Sequence, residues 1–164
     1  MPREEVQASL PNAAGTYTLV MKASASIDVS VGALGESHFP SGLYTYTGSA
    51  LGHAQSLRTR VARHLRYSKK RRWHIDYLLP QVQILQVVYC VSPRRLECMI
   101  VKILGGDSDT RAVVPGFGSS DCSWRCPAHL YHHPKTTVEE LLGTVGRAYS
   151  ANGCESEILV VSTR

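Results

Sequence analysis

A chain of 164 residues that is 43% apolar is long enough for one domain with a single sizeable core, and its composition is ordinary for a folded protein. The net charge of +5 is modest; no basic-then-apolar start follows Met1 and no apolar run approaches membrane-spanning length, so neither a secretory signal nor a membrane span is expected. With five cysteines, an odd number, the chain reads as a soluble cytoplasmic protein with reduced thiols and no membrane partner.

Residues 1–13 are polar, with proline, and read as a flexible start before a single domain over 14–164. TYTLVMK, 16–22, is β-rich. The Ser/Gly-rich connection 23–42 contains IDVSV, which alternates as a short strand or an extended strand end. GLYTYTGSA then predicts a strand closed by glycine and small residues. Two neighbouring strands with a direct connection are most simply antiparallel, which sets Tyr17 beside Tyr44 and Tyr46. Tyrosine suits a pleated, half-buried surface, so packing explains all three. The alternative is that some of these phenols point into a site, where a hydroxyl donates, accepts or relays a proton. Tyr44, further from the strand end, reads as packing or surface.

From Ser56 to Tyr67 the period becomes helical, with Leu57, Val61 and Leu65 in one apolar stripe and Arg60, His64 and Tyr67 along its edge. Between Glu36 and Asp76 there is no acid, while Arg58, Arg60, Arg63, Arg66, Lys69, Lys70, Arg71 and Arg72 all fall there. Such a field attracts polyanions, nucleic acid above all, and equally describes a solvated basic face. Residues 82–91 predict a third strand. SPRRLECMIVKIL predicts a helix capped by Ser92, with Pro93 in its first turn, a core stripe of Leu96, Ile100 and Ile103, and Glu97 beside that stripe. A loop rich in glycine, cysteine and histidine follows. TTVEELLGTVGRAY has Thr137 and Glu140 at capping-box spacing, and SEILVVS predicts a last strand.

The segments GTY, YTG, the helix pattern of Leu57 with Arg60, Arg63 and His64, and the later Glu97 together resemble the GIY-YIG nucleases. YTYTGSA, RVARHLR, KKRRWHIDYLL, LEC and GFGSSDC are similar to the compact, stand-alone Uri-type branch of that family, over roughly residues 15–131. The resemblance implies an α/β (α+β) fold: a small three-stranded mixed or antiparallel sheet flanked by helices, here with a C-terminal helix-strand extension. It also implies a phosphodiester hydrolase acting on nucleic acid, with one catalytic Mg²⁺ or Mn²⁺. DNA is expected before RNA, single-stranded and branched forms included. Residue by residue the resemblance makes Tyr17, Tyr46, Arg60, His64 and Glu97 catalytic, Glu97 being the metal ligand. The chain departs from the pattern in two places. Threonine replaces isoleucine in both motifs, and the asparagine that usually follows the glutamate has no counterpart; Asp109, Ser119 and Asp121 are the nearby polar residues.

The implied chemistry is consistent with these side chains. One carboxylate suffices to hold Mg²⁺ when waters and substrate oxygens complete its octahedron. Arg60 offers a planar fork for phosphate oxygens. His64 or a tyrosine would take the proton from water, histidine having the better-placed ordinary pKa. Arg63, Lys69, Lys70, Arg71, Arg72 and His74 are the expected substrate-binding residues, although His74 is equally readable as a structural histidine paired with Asp76. Trp73 reads as core or as a base-stacking ring. Cys122, Cys126 and His129 have ligand types that suit a structural Zn²⁺, but without a second CxxC the loop reads as reduced cysteines packing together; Cys90, Cys98 and Cys154 read as small buried apolar residues. The runner-up function is a non-catalytic nucleic-acid-binding module, and a third is a zinc-stabilised interaction domain.

Overall fold

The computed structural model describes residues 1–162. In chain order its main elements are α1 (Arg3–Ser9), β1 (Gly15–Ala23), β2 (Ile27–Val31), β3 (Gly35–Phe39), β4 (Gly42–Ala50), α2 (Leu57–Leu65), α3 (Ile75–Leu78), β5 (Gln83–Val91), α4 (Glu97–Leu104), β6 (Leu130–His133), α5 (Val138–Ala151) and β7 (Glu157–Val160). Five strands form one sheet in the order β6-β4-β1-β5-β7, and every pair in it is antiparallel. The expectation of three strands is therefore corrected to five. One addition, β7, is the last strand expected in SEILVVS, which joins the edge of this sheet beside β5; the other, β6, is a four-residue edge strand, too short to announce itself by alternation in a loop-like context. IDVSV is a strand, but it pairs with β3 in a separate hairpin rather than joining the main sheet.

β1 lies at the centre, and only Lys22 along it is exposed. That is why TYTLVM reads as an almost continuous apolar and threonine run rather than a clean alternation. Its odd positions, Tyr17, Leu19 and Met21, face a core shared with Leu57, Val61 and Leu65 of α2, Ile75 and Leu78 of α3, and Phe39 of the hairpin. On the opposite face Val20 joins Leu96, Ile100 and Leu104 around α4 and Leu141 and Val145 of α5. Each such aliphatic side chain, fully buried, contributes about 1.5–3 kcal/mol to holding the layers together. Of the buried threonines of the inner strands, Thr18 is matched locally, with Oγ1 2.9 Å from Thr47 Oγ1 and 3.0 Å from the Tyr149 hydroxyl, and Thr45 Oγ1 lies 2.8 Å from His133 Nε2, while Thr16 Oγ1 has no hydrogen-bond partner.

Local signals set the helix ends. Ser56 Oγ accepts from the Thr59 amide at 3.1 Å and caps α2. Thr137 and Glu140 form the expected capping box of α5. α4 differs from expectation: it starts at Glu97, not at Ser92, whose hydroxyl accepts from the Arg94 amide in a preceding turn. The buried stripe runs at spacings of four, Leu96, Ile100 and Leu104, so Ile103 is 42% exposed and Leu104 takes its place in the core. The polar start, expected to be loose, forms α1 with Val6 and Leu10 fully buried. Cys90 and Cys154 are joined as a disulfide, which corrects the expectation of reduced thiols at those two positions. No described helix is long and apolar enough to cross a membrane.

Candidate active site

β6 pairs with β4 only from Leu43 to Tyr46. Beyond one further bond, from the Thr47 amide to the His129 carbonyl at 3.1 Å, β6 no longer flanks β4, and a cavity of about 430 Å³ opens there, lined by Tyr17, Tyr46, Thr47, Gly48, Ser49, Arg60, Trp73, Glu97 and residues of the loop before β6. The missing strand coverage lets groups from both sides of the sheet reach one space: the tyrosines from the α2 side, Glu97 from the α4 side.

The two motif tyrosines do converge. In the β1–β4 register Tyr17 lies opposite Gly48, and Tyr46 lies opposite Leu19, so the two rings sit diagonally on one face. Gly48 is what allows this. A Cβ there would stand 2.5 Å from the Tyr17 hydroxyl, so any other residue displaces the phenol. Gly118 serves Tyr46 in the same way: its φ of +74° is left-handed, and a Cβ would come within 2.9 Å of the Tyr46 ring. Burial, with each other's proximity second for Tyr17 and the Arg60 charge opposing it for Tyr46, pushes both phenols well above the ordinary tyrosine value. Both are neutral hydrogen-bonding groups at physiological pH.

His64 is placed differently from expectation. It is 1% exposed and does not line the cavity; its Nε2 lies 2.7 Å from the Tyr17 hydroxyl, which stands between it and the open space. Burial first, and then the neighbouring Lys69 charge, hold its pKa down at about 3. The expected direct contact of His64 with a water in the cavity is thereby corrected: the side chain lies behind Tyr17. Nδ1 is buried without a hydrogen-bond partner. A buried N–H without an acceptor is costly, so the tautomer with Nε2–H donating to the Tyr17 oxygen is preferred. In that arrangement the Tyr17 O–H is free to donate into the cavity.

Arg60 lines the cavity with its guanidinium carbon 4.4 Å from the Trp73 ring centroid, and Nη1 donates to Gln55 Oε1 at 3.2 Å. Its Nε is buried without a partner, and no described acid forms an ion pair with it. A stacked, unneutralised guanidinium is a receptor for an anion. Glu97, the first residue of α4, accepts from Ser49 Oγ at 3.0 Å and from Arg95 Nη1 at 3.5 Å, one donor to each oxygen. A carboxylate has about four acceptor positions, so lone pairs remain for a cation. The donor set thus fits one hard divalent ion on Glu97. Of the polar residues considered for the missing asparagine, Asp121 lines the cavity, Ser119 does not, and Asp109 instead pairs with Lys135 at 3.2 Å beside another recess.

The basic turn divides into two groups. Arg63 makes a bidentate pair with Asp76 at 2.8 and 2.7 Å and also donates to the Lys70 carbonyl. Lys69 Nζ donates to the carbonyls of Arg63 and His64 at 2.9 and 3.0 Å, closing the C-terminus of α2. Both are turned inward, which corrects their assignment as substrate-binding residues. Lys70, Arg71 and Arg72 are exposed, and Arg72 reaches the cavity wall. His74 also lines the cavity; its Nδ1 accepts from the Gly118 amide at 2.9 Å, so its partner is the loop and not Asp76. Trp73 is half-buried between Arg60 and Arg63, orienting two guanidinium groups. Tyr44 is packing, as expected, fully buried and stacked on His132 at 4.8 Å.

The family model described as "Domain of unknown function DUF123" matches residues 16–151. The chain belongs to the DUF123 family. No curated protein and no solved structure matches it. The DUF123 match covers every residue of the cavity described above.

Two features of this DUF123 chain do not follow from its sequence pattern. Cys98, which reads as a small apolar residue, sits with Cys122, Cys126 and His129 so that their four ligand atoms lie within 4.8 Å of one another, a cluster able to hold a metal ion. Burial, then the adjacent thiol of Cys122, pushes the Cys98 thiol up. The C-x₃-C-x₂-H spacing is visible in the sequence, but the fourth ligand comes from α4, a separate element. Trp124, at the tip of the same loop, is 61% exposed and lines the cavity; an indole between two cysteines of a polar loop is the one signal for it.

The buried histidines make stability depend on pH. His64 is held at about 3 and, mainly by burial, His133 at about 4, both below the ordinary histidine value. In the unfolded chain they bind protons at about 6.5 that the folded chain refuses, so stability is full above that pH and falls as pH drops toward the folded values. Each group contributes a loss on the order of 1 kcal/mol per pH unit in this window. Urea unfolding from neutral pH to pH about 4.5 should show a falling midpoint, with a shallower fall in His64→Gln; a midpoint that stays level would show that His64 is not held neutral.

Proposed function

We propose that this DUF123 chain is a divalent-metal-dependent nuclease that hydrolyses phosphodiester bonds, with DNA the favoured substrate. The observation that carries the reading is the meeting of Tyr17, Tyr46, Arg60 and Glu97 in one cavity at the uncovered end of β4. The similarity of GTY, YTG, the α2 pattern and Glu97 to GIY-YIG nucleases supports the same reading.

Arg60 is suited to bind the scissile phosphate and to stabilise the charge that grows on it, because its fork is stacked and has no acid partner among the described residues. Tyr17, backed by His64, donates its hydroxyl hydrogen to a phosphate oxygen or to the attacking water and holds it in line; Tyr46 flanks the same space. Strand positions fix these phenols more rigidly than loops would. Glu97, supported by Ser49, would hold Mg²⁺ or Mn²⁺, whose bound form supplies Lewis-acid neutralisation of the phosphate charge. Arg72 at the cavity wall, with the exposed Lys70 and Arg71 next to it in the chain, is suited to attract the backbone without reading sequence.

Replacing Lys70, Arg71 and Arg72 together by neutral residues should weaken binding to all sequences alike and lower the salt slope by roughly one unit for each phosphate no longer neutralised. Lys69 is left in place because it closes α2. An unaltered slope would put the substrate on another face.

The functional assignment is tested by incubating the protein with end-labelled single-stranded, duplex and branched DNA and RNA in Mg²⁺, Mn²⁺ or chelator. Metal-dependent products are expected. Tight binding in every condition with no product in either metal would make the chain a non-catalytic binding module instead.

A further inference from the structure

We infer that Cys98, Cys122, Cys126 and His129 form a structural zinc site. The cluster alone carries this site, whether or not the chain is a nuclease. Cys98 Sγ lies 3.3 Å from Cys122 Sγ and 3.9 Å from His129 Nε2, and all four ligand atoms lie within 4.8 Å of one another. Zinc bonds of about 2.3 Å to sulfur and about 2.0–2.1 Å to nitrogen require ligand–ligand distances of about 3.5–3.8 Å in a tetrahedron, so small side-chain adjustments suffice.

The chemistry of the set is selective. Three thiols and one imidazole make the Cys₃His combination typical of closed zinc sites, and soft sulfur donors disfavour Mg²⁺ and Ca²⁺. Four protein ligands leave no open position, so the role is structural rather than catalytic. The residues come from two places, Cys98 from the first turn of α4 and the others from the loop that runs into β6. That loop needs a fastener. From Gly116 to Arg125 it is a chain of turns, with Ser119 N bonded to Gly116 O, Cys122 N to Ser119 O and Arg125 N to Cys122 O. Arg125 is the only described non-glycine residue with a left-handed φ, at 54°, immediately before Cys126. A metal that draws Cys122 and Cys126 together accounts for a strained residue between them.

The site has a structural consequence. Cys98 follows Glu97 directly, and the loop carries Gly118, Asp121 and Trp124 along the cavity wall. Zinc would therefore hold the loop against the start of α4 and fix two walls of the cavity relative to each other. On binding, protonated thiols release their protons as the thiolates coordinate.

The full chain, purified under reducing conditions without chelator, should contain about one equivalent of zinc by elemental analysis, as one closed site requires. Exchange with cobalt(II) should give thiolate charge-transfer bands and the visible bands of a tetrahedral site. Cys98→Ser and Cys126→Ser should each lose most of the bound metal, whereas substitution of the exposed His53, outside the cluster, should keep it. The wild-type chain provides a second readout should the variants not fold. Chelator should render the three cluster thiols reactive to alkylation and should speed tryptic cleavage after Arg125. Wild-type chain that takes up neither zinc nor cobalt after reduction, or whose thiols and Arg125 bond respond identically with and without chelator, overturns the site. So does a bound metal that survives Cys98→Ser undiminished, and so does a Cys98–Cys122 disulfide that persists through reduction in place of metal.

Discussion

Glu97→Gln should eliminate metal-dependent cleavage while leaving nucleic-acid binding nearly intact. The substitution keeps the side-chain volume and an oxygen able to accept from Ser49, whose hydroxyl now lies 3.0 Å from the carboxylate. It removes the negative charge that a hard cation requires. Metal stabilisation of transition-state charge is worth several kcal/mol, so the expected loss is on the order of a thousandfold or more in rate. Folding should be little changed, since Glu97 is at a helix start and half-buried, with its pair to Arg95 at a loose 3.5 Å contributing little. The comparison to make is single-turnover cleavage beside a binding titration. A variant that cleaves at the wild-type rate would remove Glu97 from the site.

Arg60→Lys is the second large effect. Lysine keeps the positive charge, but it loses the planar fork and the stacking that sets the guanidinium 4.4 Å from Trp73. The proposed task of Arg60 is to meet charge that develops during attack, so its loss should fall on turnover, by on the order of a hundredfold. Affinity should change much less, because the exposed Lys70, Arg71 and Arg72 remain. If the variant instead binds weakly and its bound complex cleaves normally, Arg60 belongs to the docking surface and not to the reaction.

The residues most legible in the sequence are those with a fixed local pattern. Tyr17, Tyr46, Arg60 and Glu97 stand out by motif, and the structure brings all four to one cavity. Capping chemistry at Ser56 and Thr137 is readable because a cap is decided within four residues. What escapes depends on partners distant in sequence. Arg63 and Lys69 read as free cations in a run without acids, yet Asp76, at the end of that run, folds back to take Arg63 while Lys69 turns onto helix carbonyls. His64 has the right spacing from Arg60, but only the packing of α2 against β1 places Tyr17 between it and the cavity. Cys98 looks like a core residue because its three companions lie 24 or more positions later. β6 is hidden for a related reason: an edge strand of four residues is defined by the strand it joins, not by its own pattern, whereas β7, of the same length, is legible in SEILVVS and only its partner β5 is not.

If Glu97 and a divalent ion make this cavity a phosphodiester hydrolase, the metal must be the switch for a strand already in place. The most direct test begins with a labelled DNA strand bound to the protein in chelator, followed by addition of excess Mg²⁺ and sampling of the bound strand over time. The expected result is no product before the addition, product from the wild-type complex after it, and none from a Glu97→Gln complex formed to the same extent. Cleavage in chelator, equal cleavage by both proteins, or an intact strand in the saturated wild-type complex with Mg²⁺ and again with Mn²⁺ would contradict it.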